Sequence, residues 1–161
     1  AIVEGVFENA EGTIDAPIGR KEGSTIERMI DFENGERAVT HYRVLEQKEN
    51  VAMLALKLET GRTHQIRVHL SWQGHPLFND ARYGGDRILK GTTFSKYKQF
   101  IENCFELMPR QALHAKALGF THPRTGKELL LDSELPADFK AVLQKWDTYT
   151  AAVETFETAD I

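Results

Sequence analysis

The sequence has a single cysteine, Cys104, and no long apolar run. One cysteine excludes an internal disulfide and a cysteine-based zinc cluster. No stretch reaches the ~18 apolar residues of a membrane-spanning helix, and no basic segment followed by an apolar one indicates a secretory signal. We therefore expect a protein of a reducing, cytoplasmic compartment with no membrane partner.

Sequence motifs for cofactors are also missing. There is no glycine-rich Walker loop, no Gly-x-Gly-x-x-Gly and no Gly-x-Ser-x-Gly, so nucleotide cofactors and serine hydrolase chemistry have no support. His64 and His69 are five residues apart, and His75 lies six further on. A zinc pair on a helix needs a spacing of about four. We predict neither a cofactor nor a metal.

What is present is the composition of an ordinary globular domain. Hydrophobic residues make up 41% and charged residues 27% of a chain of 161 residues, which suits one domain. We assign the domain to residues 1–150. Residues 151–161 are acidic and have no helix cap, which predicts a frayed C-terminal tail.

Charge is unevenly distributed along the chain. Residues 1–56, 57–127 and 128–161 carry net charges of −5, +7 and −6, for a total of −4. A positive middle segment can form a binding site for a polyanion on an acidic protein. Charge alone leaves an alternative open, in which these are solvated side chains that happen to be unevenly spread.

The first half of the sequence predicts strands. Residues 1–6 and 25–32 have strand composition, and Asn34-Gly35 predicts a hairpin turn into a return strand at 37–46. Residues 51–58 are apolar on both faces, which is typical of a central strand covered on both sides.

The second half predicts two helices and one further strand pair. The first helix has an apolar stripe of Phe94, Tyr97, Phe100, Ile101, Cys104 and Phe105. Pro136 begins the last helix, whose stripe is Phe139, Val142, Leu143, Trp146 and Tyr149. Residues 112–121 and 127–131 predict two strands. The fold class is therefore α+β, a mixed, mainly antiparallel sheet with flanking helices.

Residues 60–70, Thr-Gly-Arg-Thr-His-Gln-Ile-Arg-Val-His-Leu, are the most informative segment. They join the buried strand to a helix for which Thr63 is the predicted N-cap. Such a junction can bind phosphate through backbone N–H groups, and Arg62 can add bidentate contacts. Arg67 lies one turn into the helix, where an arginine usually needs a carboxylate partner. The alternative is an amphipathic helix with a solvated Arg/His face.

Two further polar clusters follow. Residues 74–80 and 82–86 are rich in glycine and polar side chains, as are loops that line sites, although a plain surface loop has the same composition. The third cluster, 110–115, contains His114 within an apolar segment. A histidine in that setting is more often a hydrogen-bonded core residue than a catalyst.

Taken in order, these motifs resemble the RluA-type pseudouridine synthases, which isomerise uridine in ribosomal or transfer RNA. The resemblance covers residues 1–140 and is most specific at 60–70. It continues through Gly-His-Pro-Leu-Phe-Asn-Asp at 74–80, Tyr83-Gly84, Leu113-His114-Ala115 and His122-Pro123. Asn79 departs from the family pattern, which usually has glycine there.

A larger departure is the missing nucleophile. The family's catalytic aspartate lies in a His-Arg-Leu-Asp segment, and the sequence contains no Arg-Leu-Asp. The tyrosine that stacks on the target base is absent too. We expect part of a catalytic domain, inactive alone and able to self-associate through apolar surface exposed by truncation. Asp80 is not assigned as nucleophile. A non-catalytic RNA-binding module derived from the same fold is the alternative.

The resemblance also implies roles for individual residues. Arg67 matches the arginine that pairs with the catalytic aspartate and keeps it ionised. Because that aspartate is missing, we expect Arg67 to be exposed, mobile or otherwise paired, and not to form a tight buried ion pair with an internal acid. The RNA contacts implied are Arg62, Thr63, His64, Gln65, His69, Leu113 and His114, with Leu113 in the wall of the uracil pocket. The partner is RNA, and no cofactor or metal is needed.

Overall fold

The computed structural model describes residues 1–89 and 95–159, with side chains of the last helix described to residue 152. All strand pairs in these ranges are antiparallel, and the predicted mixed α+β class is confirmed. The elements are β1 (Ile2–Glu4), β2 (Glu11–Asp15), β3 (Ile18–Arg20), β4 (Arg28–Ile30), β5 (Val39–Gln47), β6 (Val51–Leu58), α1 (Gln65–Trp72), α2 (Ser95–Leu107), β7 (Ala117–Thr121), β8 (Glu128–Asp132) and α3 (Ala137–Ala159).

A four-stranded sheet with the order β1-β6-β5-β2 forms the centre of the fold. β6 is an interior strand, as its apolar composition predicts. The outer edge of β1 is covered, because Ile2 exchanges backbone hydrogen bonds with Ala112 and Phe78, and Glu4 donates to Pro76. This pairing holds the segment after α1 against the sheet and so places the loop that carries Asp80.

The core lies on both faces of this sheet. One cluster joins Val51 of β6 to the stripes of α2 and α3, and the other joins Leu54 of β6 to Leu70 of α1 and Leu77. The predicted helix stripes are confirmed: Tyr97, Ile101, Cys104, Phe139, Val142 and Trp146 are buried, with Phe100, Phe105, Leu143 and Tyr149 packed against them. Phe94, predicted in the first stripe, lies outside the described residues.

The hairpin predicted at Asn34-Gly35 is wrong in its pairing. β4 pairs with β3, with Ile30 opposite Ile18, whereas β5 pairs with β2 and β6. Asp31 gives the reason, because its carboxylate accepts hydrogen bonds from the backbone N–H groups of Glu33 and Asn34. Its carbonyl accepts from Gly35 at 3.0 Å. These bonds form a wide turn instead of a two-residue hairpin loop.

The C-terminal segment also differs from the frayed tail that the sequence predicts. α3 continues to Ala159, so helix occupies residues 151–159 where we predicted a frayed segment. Three apolar residues before the boundary, Val142, Trp146 and Tyr149, anchor this helix to α2, and tertiary packing of this kind extends helices beyond their local signals. No helix in the described ranges has the length and apolarity needed to cross a membrane.

The strand pair β7–β8 forms as predicted, although β7 begins five residues later than expected. It is mostly exposed. Leu118 and Leu131 face each other across the pair with 61% and 56% of their surface exposed, and Leu130 is 77% exposed. Exposed apolar strands of this kind favour association. Self-association of the chain stays a prediction.

Glu4 is buried in β1, with 3% of its surface exposed. Burial raises the pKa of its carboxyl from 4.5 to about 8. The folded state therefore holds a proton that the unfolded state releases above about pH 4.5, so the contribution of Glu4 to stability falls as pH rises from there to about 8. We expect wild type to lose roughly 1 kcal/mol per pH unit relative to Glu4→Gln in this window, measured by urea unfolding.

The buried amino group of Ala1 titrates in an overlapping range. Burial lowers its pKa from 8.0 to about 6, which makes stability rise between these values and opposes the effect of Glu4. Both proteins share that group, so only the difference between wild type and Glu4→Gln is diagnostic. Parallel stability curves for the two proteins would contradict the prediction.

Candidate active site

The turn after β6 leads directly into α1, and it begins the helix differently from the prediction. The N-cap is His64 with φ of 55°, and its side chain makes no capping hydrogen bond. Thr63, the predicted N-cap, is exposed. Gln65 orders the turn before the helix, because its Oε1 accepts from the Arg62 backbone N–H at 3.0 Å and from the Thr60 hydroxyl at 2.8 Å.

Gln65 is a buried anchor and not a surface group. Only 3% of its surface is exposed, and its Nε2 donates to Val39 O and Thr40 Oγ1, both at 3.0 Å. All its main hydrogen-bonding capacity is used within the protein. The implied RNA contact of Gln65 stays a prediction, and in the structure its side chain fixes the start of α1 against β5.

His69 is likewise withdrawn from the surface. It is fully buried, and its Nε2 donates to Ala16 O at 2.8 Å. Because the ring hydrogen is on Nε2, Nδ1 accepts from the Thr40 hydroxyl, also at 2.8 Å. Burial lowers the pKa of His69, so the ring is neutral. The implied RNA contact of His69 stays a prediction, and in the structure the histidine ties α1 to the sheet.

Arg67 forms a bidentate ion pair with Asp80. Its Nε and Nη2 donate to the two carboxylate oxygens, each at 2.8 Å, and the side chains are 12% and 1% exposed. These hydrogen bonds raise the pKa of Arg67. The expectation that Arg67 is exposed, mobile or without a tight internal acid is wrong. The general expectation of a carboxylate partner for this arginine is confirmed.

The loop that presents Asp80 is held rigidly. Asn79 has φ of 59°, a left-handed conformation that suits glycine and is tolerated by asparagine, which explains this departure from the family pattern. Its Nδ2 donates to Met108 O at 2.7 Å. Gly85 is also required, because a Cβ there would lie 1.8 Å from Leu77 O. Its N–H donates to Asp80 O at 2.8 Å.

Tyr83 links Arg67 to His64. The Arg67 guanidinium lies 4.9 Å from the centre of the Tyr83 ring, a cation–π distance. The Tyr83 hydroxyl accepts from the Arg28 backbone N–H at 3.1 Å and lies 2.6 Å from His64 Nδ1. Burial, followed by the charges of Arg67, Arg82 and Arg28, lowers the pKa of His64. A neutral His64 therefore lies beside a cationic cluster.

The remaining predicted contacts are more dispersed. Arg62 Nε donates to Arg37 O at 2.8 Å, and its guanidinium lies 3.5 Å from Glu36. Leu113 packs against the same core cluster as Ile66. His114 is half-buried, and its Nε2 lies 3.0 Å from the Ser133 hydroxyl. The fold thus brings together Arg62, His64 and Arg67 on α1 and its entry turn.

Sequence reasoning missed two members of this site. It left Asp80 without a role, although an arginine within a helix signals a nearby acid and Asp80 is the next acidic residue along the chain. It also gave no role to Tyr83, for which only the glycine-rich loop around it offered a signal. In the described parts of the chain, no three His, Cys, Asp or Glu side chains are placed to hold a metal ion.

The chemistry available at this site centres on the free edge of Arg67. Asp80 occupies Nε and one hydrogen of Nη2, and no acceptor among the described residues faces Nη1. A guanidinium can bind carboxylates along two edges. The fixed Arg67 is therefore positioned to orient a second carboxylate and to keep it ionised.

Comparison with known proteins decides the family. A family model described as RNA pseudouridylate synthase matches residues 1–72. The chain is 42% identical over 144 residues to an uncharacterized RNA pseudouridine synthase of Bacillus subtilis, with 89% of this chain and 44% of that protein covered. The chain belongs to the RluA-type family of RNA pseudouridine synthases.

Two further comparisons support the same family assignment. The chain is 46% identical over 139 residues to ribosomal large subunit pseudouridine synthase D of Pseudomonas aeruginosa, covering 86% of this chain and 42% of that protein. A solved structure, human RNA pseudouridylate synthase domain containing 1, superposes with a TM-score of 0.63 at 28% identity, covering 84% of this chain and 53% of the human one. The chain spans less than half the length of these curated synthases.

Proposed function

We propose that this chain is the arginine-bearing part of an RNA pseudouridine synthase that converts uridine to pseudouridine in ribosomal or transfer RNA. The observation that carries the proposal is the geometry of Arg67, which Asp80 and Tyr83 hold in place with one edge free. Ribosomal RNA is the favoured substrate, since the Pseudomonas aeruginosa relative is named for the large ribosomal subunit. The cytoplasm is the proposed compartment.

The proposed reaction is an isomerisation and needs no cofactor. A uridine flipped out of its RNA context enters the pocket. An ionised aspartate from a segment outside these 161 residues starts the chemistry, the bond between the ribose and uracil N1 breaks, and the rotated base is joined to the ribose through C5. The C5 hydrogen leaves as a proton to water, and N1 takes up a proton from water, so the product is an isomer of uridine. The free edge of Arg67 favours the charged form of the aspartate.

Asp80 is not the proposed nucleophile. Both of its oxygens bind Arg67, and its side chain is 1% exposed. A carboxylate held in this way can reach a substrate only if the ion pair breaks, which is costly for a buried pair. Its proposed role is to fix the guanidinium so that the opposite edge points to the incoming aspartate.

RNA contacts are proposed for the side chains that remain accessible around Arg67. Thr63 is exposed and Arg62 and His64 are partly exposed on the turn before α1, so they can reach phosphate or ribose. Leu113 is proposed for the uracil wall, and His114 lies beside it. Gln65 and His69 contribute indirectly, because their hydrogen bonds hold this turn and α1 on the sheet.

The alternative function is a non-catalytic RNA-binding module. Such a module would keep the basic site and lack the chemistry.

Tritium release from RNA labelled at uridine C5 tests the proposal. We expect release by a longer polypeptide that joins a His-Arg-Leu-Asp segment to residues 1–161, and no release by residues 1–161 alone. Release by the short chain would mean that the nucleophile is misassigned, and Asp80→Asn would then be the first variant to test. RNA binding without release by either form would favour the module.

A further inference from the structure

An open cleft of about 510 Å³ is lined in part by Tyr83, whose ring also contacts Arg67. Its walls come from the β3–β4 hairpin and from the loop that follows Asp80. Basic residues dominate its lining: Lys21, Arg28, Arg82 and Arg87 face two acids, Glu27 and Asp86. The sequence motifs and the family resemblance gave no role to Lys21, Arg28 and Arg87, and they placed Arg82 only within a polar loop of the kind that lines sites.

Most of this positive charge is not neutralised within the protein. Lys21 pairs with Glu27 at 2.8 Å, which cancels one charge of each sign. Among the residues described, the Arg28 guanidinium donates only to backbone carbonyls, with the shortest bond to Ile26 O at 2.9 Å. Within the described ranges, Arg82 and Arg87 form no ion pair. The cleft thus presents three guanidinium groups against the single carboxylate of Asp86.

The loop under these arginines has a fixed backbone. The Asn79 N–H donates to Gly85 O, and the Gly85 N–H donates to Asp80 O, both at 2.8 Å. The Ser71 hydroxyl donates to Tyr83 O at 2.9 Å. Arg82 and Arg87 therefore extend from a base that is tied to α1 and to the Arg67–Asp80 pair, so little backbone freedom is lost when a ligand binds.

The cleft is continuous with the candidate active site through Tyr83. The ring of Tyr83 packs against Arg67 on one side, while the residue lines the cleft. Its hydroxyl also bridges Arg28 and His64. Two of the cations that line the cleft, Arg28 and Arg82, add to the effect of burial in lowering the pKa of His64, so their positive potential reaches both regions.

We infer that this cleft binds phosphate groups of the RNA strand that flanks the target uridine. The inference rests on the proposed function, since it takes RNA as the substrate. Guanidinium groups bind phosphate bidentately, and three on a fixed base suit a chain of phosphates better than a single small anion. The lining is polar, with Met29 as its exposed apolar side chain, which does not favour an apolar peptide as occupant.

A charge-reversal experiment tests the inference without requiring catalysis. The variant Arg82→Glu/Arg87→Glu of the 161-residue chain is compared with wild type for binding of a fluorescent RNA stem–loop that has uridines in the loop. We expect the Kd to rise about tenfold or more. The slope of log K against log salt should become shallower by about 1.4, which corresponds to two contacts with single-stranded phosphates.

The matched control is Arg43→Glu/Arg124→Glu. Both arginines are exposed and lie outside the cleft, on β5 and in the β7–β8 turn. The control makes the same change in net charge, so an equal loss of affinity in both variants would overturn the inference and leave RNA binding intact. Circular dichroism confirms that each variant is folded.

Two further results would also overturn it. Displacement of the RNA by polyglutamate at equal charge concentration would show that the cleft accepts acidic polypeptides equally well. If wild type does not bind the RNA at all, the cleft does not bind RNA phosphates and the inference is wrong. Tritium release by the longer polypeptide is measured separately. If only the inference about the cleft is wrong, tritium is still released; if the proposed function is wrong, it is not.

Discussion

Replacing Asp80 by alanine is expected to destabilise the chain by about 3–5 kcal/mol, because the change leaves the Arg67 cation largely buried without its partner. The pair is bidentate at 2.8 Å, and the Arg67 side chain is 12% exposed. For a chain of this size the loss corresponds to a fall in Tm of roughly 10 °C. Urea unfolding and thermal melts followed by circular dichroism measure it.

A matched control is available elsewhere in the chain. Arg110 and Asp138 form a bidentate pair with similar distances of 2.9 and 3.0 Å, but their side chains are 38% and 23% exposed. Asp138→Ala should cost about 1 kcal/mol or less, since water can solvate the released arginine. Equal losses for the two variants would show that burial does not set the strength of the Arg67–Asp80 pair.

The double variant Arg67→Met/Asp80→Leu should recover most of the stability that Asp80→Ala loses. Apolar side chains of similar volume often replace a buried ion pair with no net loss. Its recovery would show that the pair is maintained for a purpose other than stability, which is what a role in orienting a second carboxylate requires.

Removing Arg67 should slow catalysis strongly even when the fold is kept. In the longer polypeptide with a nucleophilic aspartate, we expect Arg67→Met/Asp80→Leu to release tritium at least about 10²-fold more slowly at saturating RNA, because a positioned charge beside the reacting group is lost. Arg67→Lys should retain part of the rate, since lysine keeps the charge and loses the bidentate geometry. Single-turnover tritium release measures the chemical step.

Arg62→Met provides the comparison for this second experiment. Arg62 lies five residues before Arg67 and makes a side-chain hydrogen bond to the backbone of Arg37, so we expect weaker RNA binding and a nearly unchanged rate at saturation. A loss of rate in Arg62→Met equal to that of the Arg67 variant, or a folded Arg67 variant with normal rate, would contradict the proposed role.

Elements with strong periodicity were predictable. Residues 51–58 have apolar side chains on both faces of the predicted strand, and they form the interior strand β6. The stripe from Phe139 to Trp146 became the buried face of α3. The pairing of residues 25–32 was not predictable, because the side chain of Asp31 forms its own turn and overrides the local Asn-Gly signal.

In the candidate site, the residue types predicted the chemistry well. They predicted less well which surroundings each side chain has in the fold. The motif at 60–70 identified Arg67 and the need for a carboxylate. It could not separate polar residues that face solvent from those that face the sheet, because Gln65 and His69 acquire their partners from distant strands. His69, for example, bonds to Ala16 across 53 residues.

The sequence by itself determined the class of the fold, the helix faces and the family, because periodicity and ordered motifs are local properties of the chain. Tertiary structure decided which acid Arg67 binds, which polar residues are buried and where the arginines around Tyr83 form a cleft. These depend on contacts between segments far apart in the chain, such as Arg28 with Tyr83 across 55 residues. Burial then sets the strength of each charge interaction, and burial exists only once the segments have packed.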